Sequence, residues 1–261
     1  MSENTFYTDH WREIDDERVA RYERMFVWRE GHEALLAPLD LRPGSRVLDY
    51  GCGPGFVTEG MAGIVGSNGR AYGVDLNASF VTNASNRNSR SDNISFHLVD
   101  GDRIPLDDAT VDRLLCKNVL EYVPDVQTTL AEFRRVLEPG GRFLLIDSDW
   151  GFVAVEPWGR ERTRRFFEAA APAFKEPEIG RKLRAQVIDA GFDDVEVRVQ
   201  AGVDTAGGSL FVLRNMASYA SAFDAISAGE VDAMLGEAEA AVASDRYLFC
   251  LPQFLVTGVR P

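Results

Sequence analysis

Residues 47–55 read VLDYGCGPG, an apolar run that ends in a glycine-rich turn. The run predicts a buried strand, and residues 56–65 after the turn have the pattern of a helix. Glycines at such a turn let the backbone come close to a ligand, and the N-terminus of the helix offers unpaired N–H groups. The turn therefore predicts a ligand-binding site at the end of this strand.

The spacing of the glycines and two acidic residues narrows the choice of ligand. Dinucleotide enzymes use G-x-G-x-x-G to bind a pyrophosphate, whereas Gly51, Gly53 and Gly55 follow the spacing G-x-G-x-G. Asp49, just before the turn, would repel a pyrophosphate but can accept a hydrogen bond from an ammonium group. Asp75 ends the next apolar run, near the ~20-residue offset at which a second-strand acid meets a ribose diol. These features favour a ligand with a ribose and a cation over a nicotinamide dinucleotide.

Short apolar runs alternate with helical segments from Arg46 to Asp149, and this order predicts βαβ units. We expect an α/β fold with a doubly wound, seven-stranded, mostly parallel sheet that helices cover on both faces. Pro252, within the last apolar run, predicts a bulge or an edge strand. A single domain over 1–261 is expected, with an N-terminal helical lid over 1–40, a cofactor-binding half over 41–150 and a substrate-side half with a helical insertion before the last strand over 151–261.

The composition disfavours several kinds of partner. With 41 acidic and 28 basic residues the formal net charge is −13, which repels phosphate backbones and anionic lipids. No apolar run approaches the ~20 residues that span a bilayer, and the first residues lack the apolar core of a signal peptide. We expect a cytoplasmic protein that binds neither nucleic acid nor membranes. The three cysteines and three histidines are scattered, so no metal site is predicted.

Four segments, in order, resemble the class I S-adenosylmethionine-dependent methyltransferases, and within them the ubiquinone and menaquinone C-methyltransferases. The segments are VLDYGCGPG at 47–55, AYGVDL at 71–76, VDGDRIPLDD at 99–108 and LLCKNVLEYVPD at 114–125. EPGGRFLLID at 138–147 also matches the fifth strand of that family. Tyr122 stands where the family usually has His. The resemblance covers residues 40 to 150 and implies a Rossmann-like fold with S-adenosylmethionine as the cofactor.

The resemblance also implies a role for individual residues. They are Asp49, Gly51, Gly53 and Gly55 around the methionyl part, Asp75 and Leu76 at the ribose, Asp100 and Gly101 at the adenine, and Lys117 and Asn118 beside the donor sulfur. Arg29 is a candidate for the cofactor carboxylate, the alternative being a solvated position. Asp49 and Asp100 have an alternative reading as residues that cap local turns.

Methyl transfer from a sulfonium is an in-line displacement, so an enzyme mainly aligns the reactants and excludes water. Aromatic and polar residues of the lid, of the fifth strand end and of the insertion are candidates for the acceptor site: Tyr22, Trp28, Trp150, Trp158, Arg214, Asn215 and Tyr219. Asp147 and Asp149 are candidate catalytic residues, because their side chains would point to one face if the strand continued. They would ionise an acceptor or hold an amine, and a solvated strand end or helix cap is the alternative.

The sequence therefore predicts methyl transfer from S-adenosylmethionine to an O or N atom of a small molecule. One alternative is an enzyme of the same fold that uses the cofactor for a cyclisation or rearrangement, since fold does not determine chemistry. Another is a non-catalytic partner subunit that keeps the cofactor site.

Overall fold

A computed structural model describes residues 5–29 and 31–261 of the chain. In chain order the strands are β1 (Arg46–Tyr50), β2 (Arg70–Asp75), β3 (Ile94–Leu98), β4 (Val111–Lys117), β5 (Leu137–Ser148), β6 (Ala154–Glu156), β7 (Asp193–Gln200), β8 (Val203–Asp204), β9 (Leu248–Cys250) and β10 (Gln253–Val259). The helices are α1 (Phe6–Arg12), α2 (Asp16–Met25), α3 (His32–Leu36), α4 (Phe56–Val65), α5 (Ala78–Arg87), α6 (Val126–Val136), α7 (Gly159–Ala170), α8 (Ile179–Asp189), α9 (Leu210–Ala222) and α10 (Ala228–Ala243).

Seven of these strands form one sheet in the order β3-β2-β1-β4-β5-β10-β7. Strands β1 to β5 are parallel, and β10 is antiparallel to both of its neighbours, β5 and β7. The prediction of a doubly wound, seven-stranded, mostly parallel sheet is confirmed. The strand order reverses between β1 and β4, which is where open α/β sheets bind ligands, outside the carboxyl ends of the strands.

Helices cover both faces of the sheet, as continuous apolar strands require. On one face α6 and α8 bury side chains such as Phe133 and Leu183 against Leu114 and Phe143. On the other face α4 and α5 bury Met61 and Ala84 against apolar strand residues. The sheet is thus buried on both sides, which leaves the carboxyl ends of its strands as the place for a ligand.

A second apolar core lies beyond the sheet and forms a cap. It consists of α7, α9 and α10 with the three-stranded sheet β6-β9-β8. Phe6, Tyr122 and Trp150 pack against it from the lid and from the strand ends. The cap therefore meets the lid and the sheet at the carboxyl ends of β4 and β5.

The small sheet was not predicted, and the interpretation of Pro252 was wrong. Pro252 lies between β9 and β10, where the chain passes from the small sheet to the large one. β10 pairs on both sides and is no edge strand; the register shift within it falls between Thr257 and Val259. A proline without an N–H group suits the residue that leaves one ladder before joining another.

The predicted lid includes residues 1–4 and 30, which lie outside the described residues. Its described helices, α1 to α3, precede the sheet in the chain. Among the described residues, no helix combines the length and the apolar character that a membrane span needs.

Candidate active site

The glycine-rich turn joins β1 to α4 through three glycines with positive φ. A Cβ atom at Gly51 would lie 2.3 Å from Val119 Cγ2, and one at Gly55 would lie 2.7 Å from the Phe96 ring. Packing alone therefore excludes side chains at these two positions. Gly53 has a φ of +52°, yet no atom lies within 4 Å of its Cβ position. The turn has open space at Gly53, which suits the close approach of a ligand.

Asp75 ends β2 beside this turn. Its Oδ2 accepts a hydrogen bond from the Gly53 N–H and its Oδ1 from the Asn77 N–H, both over 2.8 Å. Burial raises the pKa of the Asp75 carboxyl, and the two N–H donors partly oppose that rise. Each carboxylate oxygen has more than one lone pair, so the group can still accept bonds from two vicinal hydroxyls.

Asp49 is buried beneath the turn. Its Oδ2 accepts a hydrogen bond from the Thr58 hydroxyl in α4 over 2.6 Å. Burial raises the pKa of Asp49 to about 6. This contact fits the alternative in which Asp49 caps the local structure, because it holds the start of α4. Asp49 would then affect a ligand indirectly, through the shape and the charge of the turn.

The other predicted cofactor residues differ in their exposure and in their contacts. The Asp100 side chain is 89% exposed, and its Oδ1 is 3.7 Å from Arg12 of the lid. Gly101 follows it with a φ of +78°. Leu76 is half-buried between Asp75 and Asn77. Arg29 is exposed, and its guanidinium donates to the Met25 main-chain oxygen within the lid.

Asn118, directly after β4, has a positive φ of 55°. Its N–H donates to the Ile146 oxygen over 2.8 Å, and its side-chain oxygen accepts a bond from Gln253 over 3.0 Å. Lys117 precedes it, and burial lowers the pKa of its ammonium group although Asp147 and Asp49 oppose the shift. The two bonds of Asn118 attach the end of β4 to β5 and β10.

Asp147 and Glu121 form a buried acid pair at the ends of β5 and β4. Asp147 is 1% exposed and Glu121 is 3% exposed. Asp147 Oδ2 accepts a bond from the Leu120 N–H over 2.9 Å, and Glu121 accepts one from Trp150 Nε1 over 2.7 Å. Burial raises the pKa of Asp147 to about 7, and burial together with Asp147 raises that of Glu121. Both carboxyl groups are thus shifted toward their protonated forms.

The condition under which the side chains of Asp147 and Asp149 would share a face, a strand that continues past both, is not met. β5 ends at Ser148, and Asp149 instead caps the short 3-10 helix Trp150–Phe152. Asp149 is fully buried, and both of its carboxylate oxygens accept bonds from the Arg181 guanidinium of α8. A carboxylate held in a bidentate ion pair is a structural group and a poor proton acceptor.

The predicted acceptor residues fall into two groups. Tyr22, Trp150 and Tyr219 lie in one chain of ring contacts that links lid, strand ends and cap through His10, Trp11, Tyr122 and Phe174. Asn215 lies one helical turn before Tyr219 on α9.

Three other candidates lie elsewhere. Trp28 packs on Gly60 of α4 and stacks on His32. Trp158 is buried in the cap core, where its Nε1 donates to the Met234 oxygen. Arg214 makes a surface ion pair with Glu239. These side chains are occupied by packing or by surface pairing, because aromatic size and charge alone do not tell a pocket from a core.

Sequence reasoning missed Glu121, His10 and Arg18. Glu121 lies among apolar residues in NVLEYV, and an acid in such a run signals a buried carboxyl. His10 and Arg18 lie on the amphipathic lid helices, where their polar side chains are indistinguishable from solvated ones in the sequence. Both side chains contact Tyr219 of α9, a helix that begins about 200 residues later. The sequence gives no local signal of these contacts.

Comparisons with known proteins agree with this geometry. Residues 48–145 match the model of a methyltransferase domain family. An uncharacterized 37.1 kDa protein in transposon Tn4556 of Streptomyces fradiae is 34% identical over 165 residues, which is 63% of this chain and 48% of that protein. Demethylmenaquinone methyltransferase of Symbiobacterium thermophilum is 30% identical over 150 residues, which is 54% of this chain and 60% of that protein. The chain thus spans less than two thirds of the length of either relative.

A solved structure has the same fold. Phosphoethanolamine N-methyltransferase 2 of Haemonchus contortus, in complex with S-adenosyl-L-methionine, superposes with a TM-score of 0.66 at 16% identity, over 98% of this chain and 60% of that one. Residues 48–145 are thus a methyltransferase domain, and the chain has the fold of an S-adenosylmethionine-dependent methyltransferase, as predicted. Within that class its sequence is similar to the demethylmenaquinone methyltransferases.

Proposed function

We propose that this protein transfers a methyl group from S-adenosylmethionine to an O or N atom of a small-molecule acceptor. The observation that carries the proposal is the acid pair of Glu121 and Asp147, buried at the strand ends beside the glycine-rich turn. Oxygen and nitrogen acceptors hold a proton that must leave on methylation, and a buried acid near its pKa is suited to take it.

The turn and the following strand ends fit the cofactor. The open space at Gly53 admits the methionyl chain, and Asp75 has free lone pairs for the ribose hydroxyls. Leu76 would contact the ribose, and Asp100 and Gly101 would contact the adenine. When bound, the cofactor supplies an electrophilic methyl group on its sulfonium. The role of this half of the site is to hold and orient that group toward the end of β4.

The acid pair would receive the proton of the acceptor. Asp147 is fixed by main-chain N–H donors from Val119 and Leu120, and Glu121 is fixed by the indole of Trp150. Such fixed partners keep the carboxyl groups in one geometry throughout the reaction. Two neighbouring acids seldom ionise together, so a proton shared by the pair is favoured.

The lid and the cap would exclude water from the acceptor. Thr8 of α1 donates to the Tyr122 oxygen over 3.1 Å, which attaches the lid to the end of β4. Ring contacts join Trp11 of the lid, Tyr122 and Trp150 through Phe174, and Trp150 also donates a bond to Glu121 of the acid pair. A dry site strengthens the electrostatic interactions within it and prevents hydrolysis of the methyl donor.

The test is stoichiometric. The purified full chain, its cofactor and a fractionated metabolite extract are incubated under single-turnover conditions, and chromatography follows S-adenosylhomocysteine and the product. One S-adenosylhomocysteine per methylated product supports the proposal. A product that forms without it would favour the cyclisation or rearrangement alternative, and cofactor binding without any product would favour the non-catalytic subunit.

A second candidate function is methylation of carbon on a quinol ring. It rests on the sequence likeness to demethylmenaquinone methyltransferases, which covers half of this chain. The same experiment separates the two candidates, because NMR of the product distinguishes a methyl group on carbon from one on oxygen or nitrogen.

A further inference from the structure

Arg18 of α2 is a half-buried cation at the contact between lid and cap. Its guanidinium donates to the hydroxyl of Tyr22 over 3.2 and 3.4 Å, to the hydroxyl of Tyr219 over 3.5 Å and to the main-chain oxygen of His10 over 3.3 Å. Within the described ranges, 5–29 and 31–261, no carboxylate lies within ion-pair distance of it. Its hydrogen-bond acceptors in these ranges are all neutral oxygen atoms.

These contacts are long for an arginine. Charge-assisted bonds between a guanidinium and a carboxylate measure about 2.7–2.9 Å. Elsewhere in this chain Arg162 approaches Glu237 to 2.7 Å and Arg164 approaches Glu168 to 2.6 Å, although all four side chains lie on the surface. Arg18 is more buried than these arginines, and it has longer hydrogen bonds to neutral acceptors and the rings of Trp11 and Tyr22 as neighbours in place of a carboxylate.

Two unpartnered polar atoms lie beside Arg18. Trp11 Nε1 and His10 Nε2 are buried and, among the described residues, have no hydrogen-bond partner. The Trp11 ring centroid is 5.4 Å from Arg18 Cζ and 5.2 Å from the His10 ring. His10 is 8% exposed, and its Nδ1 is already hydrogen-bonded to the Phe6 oxygen, which leaves Nε2 as a hydrogen-bond acceptor. The group thus lacks an acceptor for Trp11 and a donor for His10.

We infer that this group, which we call the Arg18 site, binds a carboxylate of the methyl acceptor together with a neighbouring hydroxyl or amino group. The carboxylate would accept bonds from Arg18 and Trp11 Nε1, and the hydroxyl or amino group would donate to His10 Nε2. Aromatic rings of Trp11, Tyr22 and Tyr219 surround these polar atoms. The substrate class is therefore a hydroxy- or amino-substituted aromatic carboxylic acid.

The cofactor also has a carboxylate, and the contacts of Arg18 favour the acceptor as the source. Its bonding partners belong to α1, α2 and α9, which build the lid and the cap. The glycine-rich turn makes its own contacts with β2 and α4. The inference about the acceptor rests on the proposed methyl transfer, whereas binding at the Arg18 site can be measured without it.

The test compares two probes that differ in charge. Binding of 3-hydroxybenzoate and of 3-hydroxybenzamide to the full chain is measured by calorimetry with S-adenosylhomocysteine at saturation. We expect the acid to bind at least tenfold more tightly than the amide. Arg18→Met should abolish this preference, and Trp11→Phe should weaken it several-fold while keeping the ring. Arg21→Met is the matched control, because Arg21 lies exposed on the same helix near the same Tyr22 ring.

Three results would overturn the inference. They are equal binding of acid and amide, an undiminished preference in Arg18→Met, and no binding of the acid at about 10 mM. Weaker S-adenosylhomocysteine binding in Arg18→Met, with the preference for the acid intact, would assign Arg18 to the cofactor instead. The chain could also prefer the acid in this binding test and yet form no methylated product from the metabolite extract. That result would keep the Arg18 site and refute the proposed function.

Discussion

The side-chain amide of Asn77 donates a hydrogen bond to the main-chain oxygen of Trp11, with Nδ2 and O 2.9 Å apart. The same residue caps α5 by accepting from the Phe80 N–H over 3.0 Å, and its own N–H donates to Asp75. One residue therefore connects the end of lid helix α1 to the acid that we assign to the ribose. Closure of the lid and binding of the cofactor are expected to stabilise each other through it.

Replacing Asn77 with Ser should loosen the lid without removing the cap of α5. A serine oxygen still accepts from the Phe80 N–H, but the side chain is too short to reach Trp11. Loss of one hydrogen bond of about 1 kcal/mol should speed hydrogen exchange of α1 amides roughly fivefold. Mass spectrometry of deuterium uptake measures this, with Asn86→Ser on the exposed side of α5 as control. Equal uptake in α1 for the wild type and both variants would contradict the coupling.

The two glycines of the turn should respond differently to alanine. Gly51→Ala places a Cβ against Val119 and should destabilise the fold by about 2 kcal/mol or more. Gly53→Ala meets no atom, so only backbone strain of about 1–2 kcal/mol is expected. The Gly53 variant should nevertheless lose affinity for S-adenosylhomocysteine, because its methyl group enters the space left for the ligand. Thermal unfolding and calorimetry test both; a Gly53 variant with wild-type affinity would place the ligand elsewhere.

Asp75→Ala should weaken S-adenosylhomocysteine binding by roughly 2–3 kcal/mol, since charge-assisted hydrogen bonds to the ribose are lost. Calorimetry measures the affinity. Asp102→Ala is the control, because Asp102 is an exposed acid near the same end of the sheet. An unchanged affinity in Asp75→Ala would show that Asp75 does not bind the cofactor. An equal loss of affinity in both variants would show that Asp75 acts only through its negative charge.

The sheet and the cofactor turn could be predicted from the sequence because local signals determine them. Glycines with positive φ, strand-length apolar runs and an acid at or near the ends of β1, β2 and β3 recur within about 100 residues. The acceptor site could not be predicted in the same way. Trp158 and Trp150 look alike in sequence, yet one packs in the cap core and the other bonds Glu121. The sequence left the role of Asp149 open because its partner Arg181 lies on a helix 32 residues later.

The buried Asp49 should make the protein less stable as pH rises from about 4 to 6. Burial raises its pKa to about 6, so the folded state keeps the proton over a range in which the unfolded state, with a pKa of 3.8, has lost it. The stabilisation from this group is complete below the pKa of the unfolded state. It is lost as the pH rises through the pKa of the folded state. Asp49→Asn cannot ionise and still accepts from Thr58. The free energy of unfolding of this variant, relative to the wild type, should therefore increase by up to about 2–3 kcal/mol from pH 4 to pH 8.

Denaturant unfolding at both pH values measures this gain for Asp49. Asp125→Asn provides the opposite sign, because N–H donors in α6 lower the pKa of Asp125 and stabilise its charged form. Its wild-type contribution is lost as pH falls. If the Asp49 variant shows the same difference from the wild type at pH 4 and pH 8, its carboxyl does not titrate with folding as described.

Glu121→Gln tests whether the acid pair takes up the proton of the acceptor. Glutamine keeps an oxygen that accepts from Trp150 Nε1, so packing is preserved while the ionisable group is lost. General base catalysis contributes roughly 10²–10⁴-fold, and kcat should fall by a factor in that range. The acid limb of the pH–rate profile should also flatten, whereas the affinity for S-adenosylhomocysteine should stay unchanged. Glu178→Gln, which changes a half-buried glutamate paired with Arg181, should retain wild-type kinetics. A Glu121 variant with an unaltered profile and normal kcat would show that methyl transfer here proceeds without this base, as it would for an acceptor that is already deprotonated.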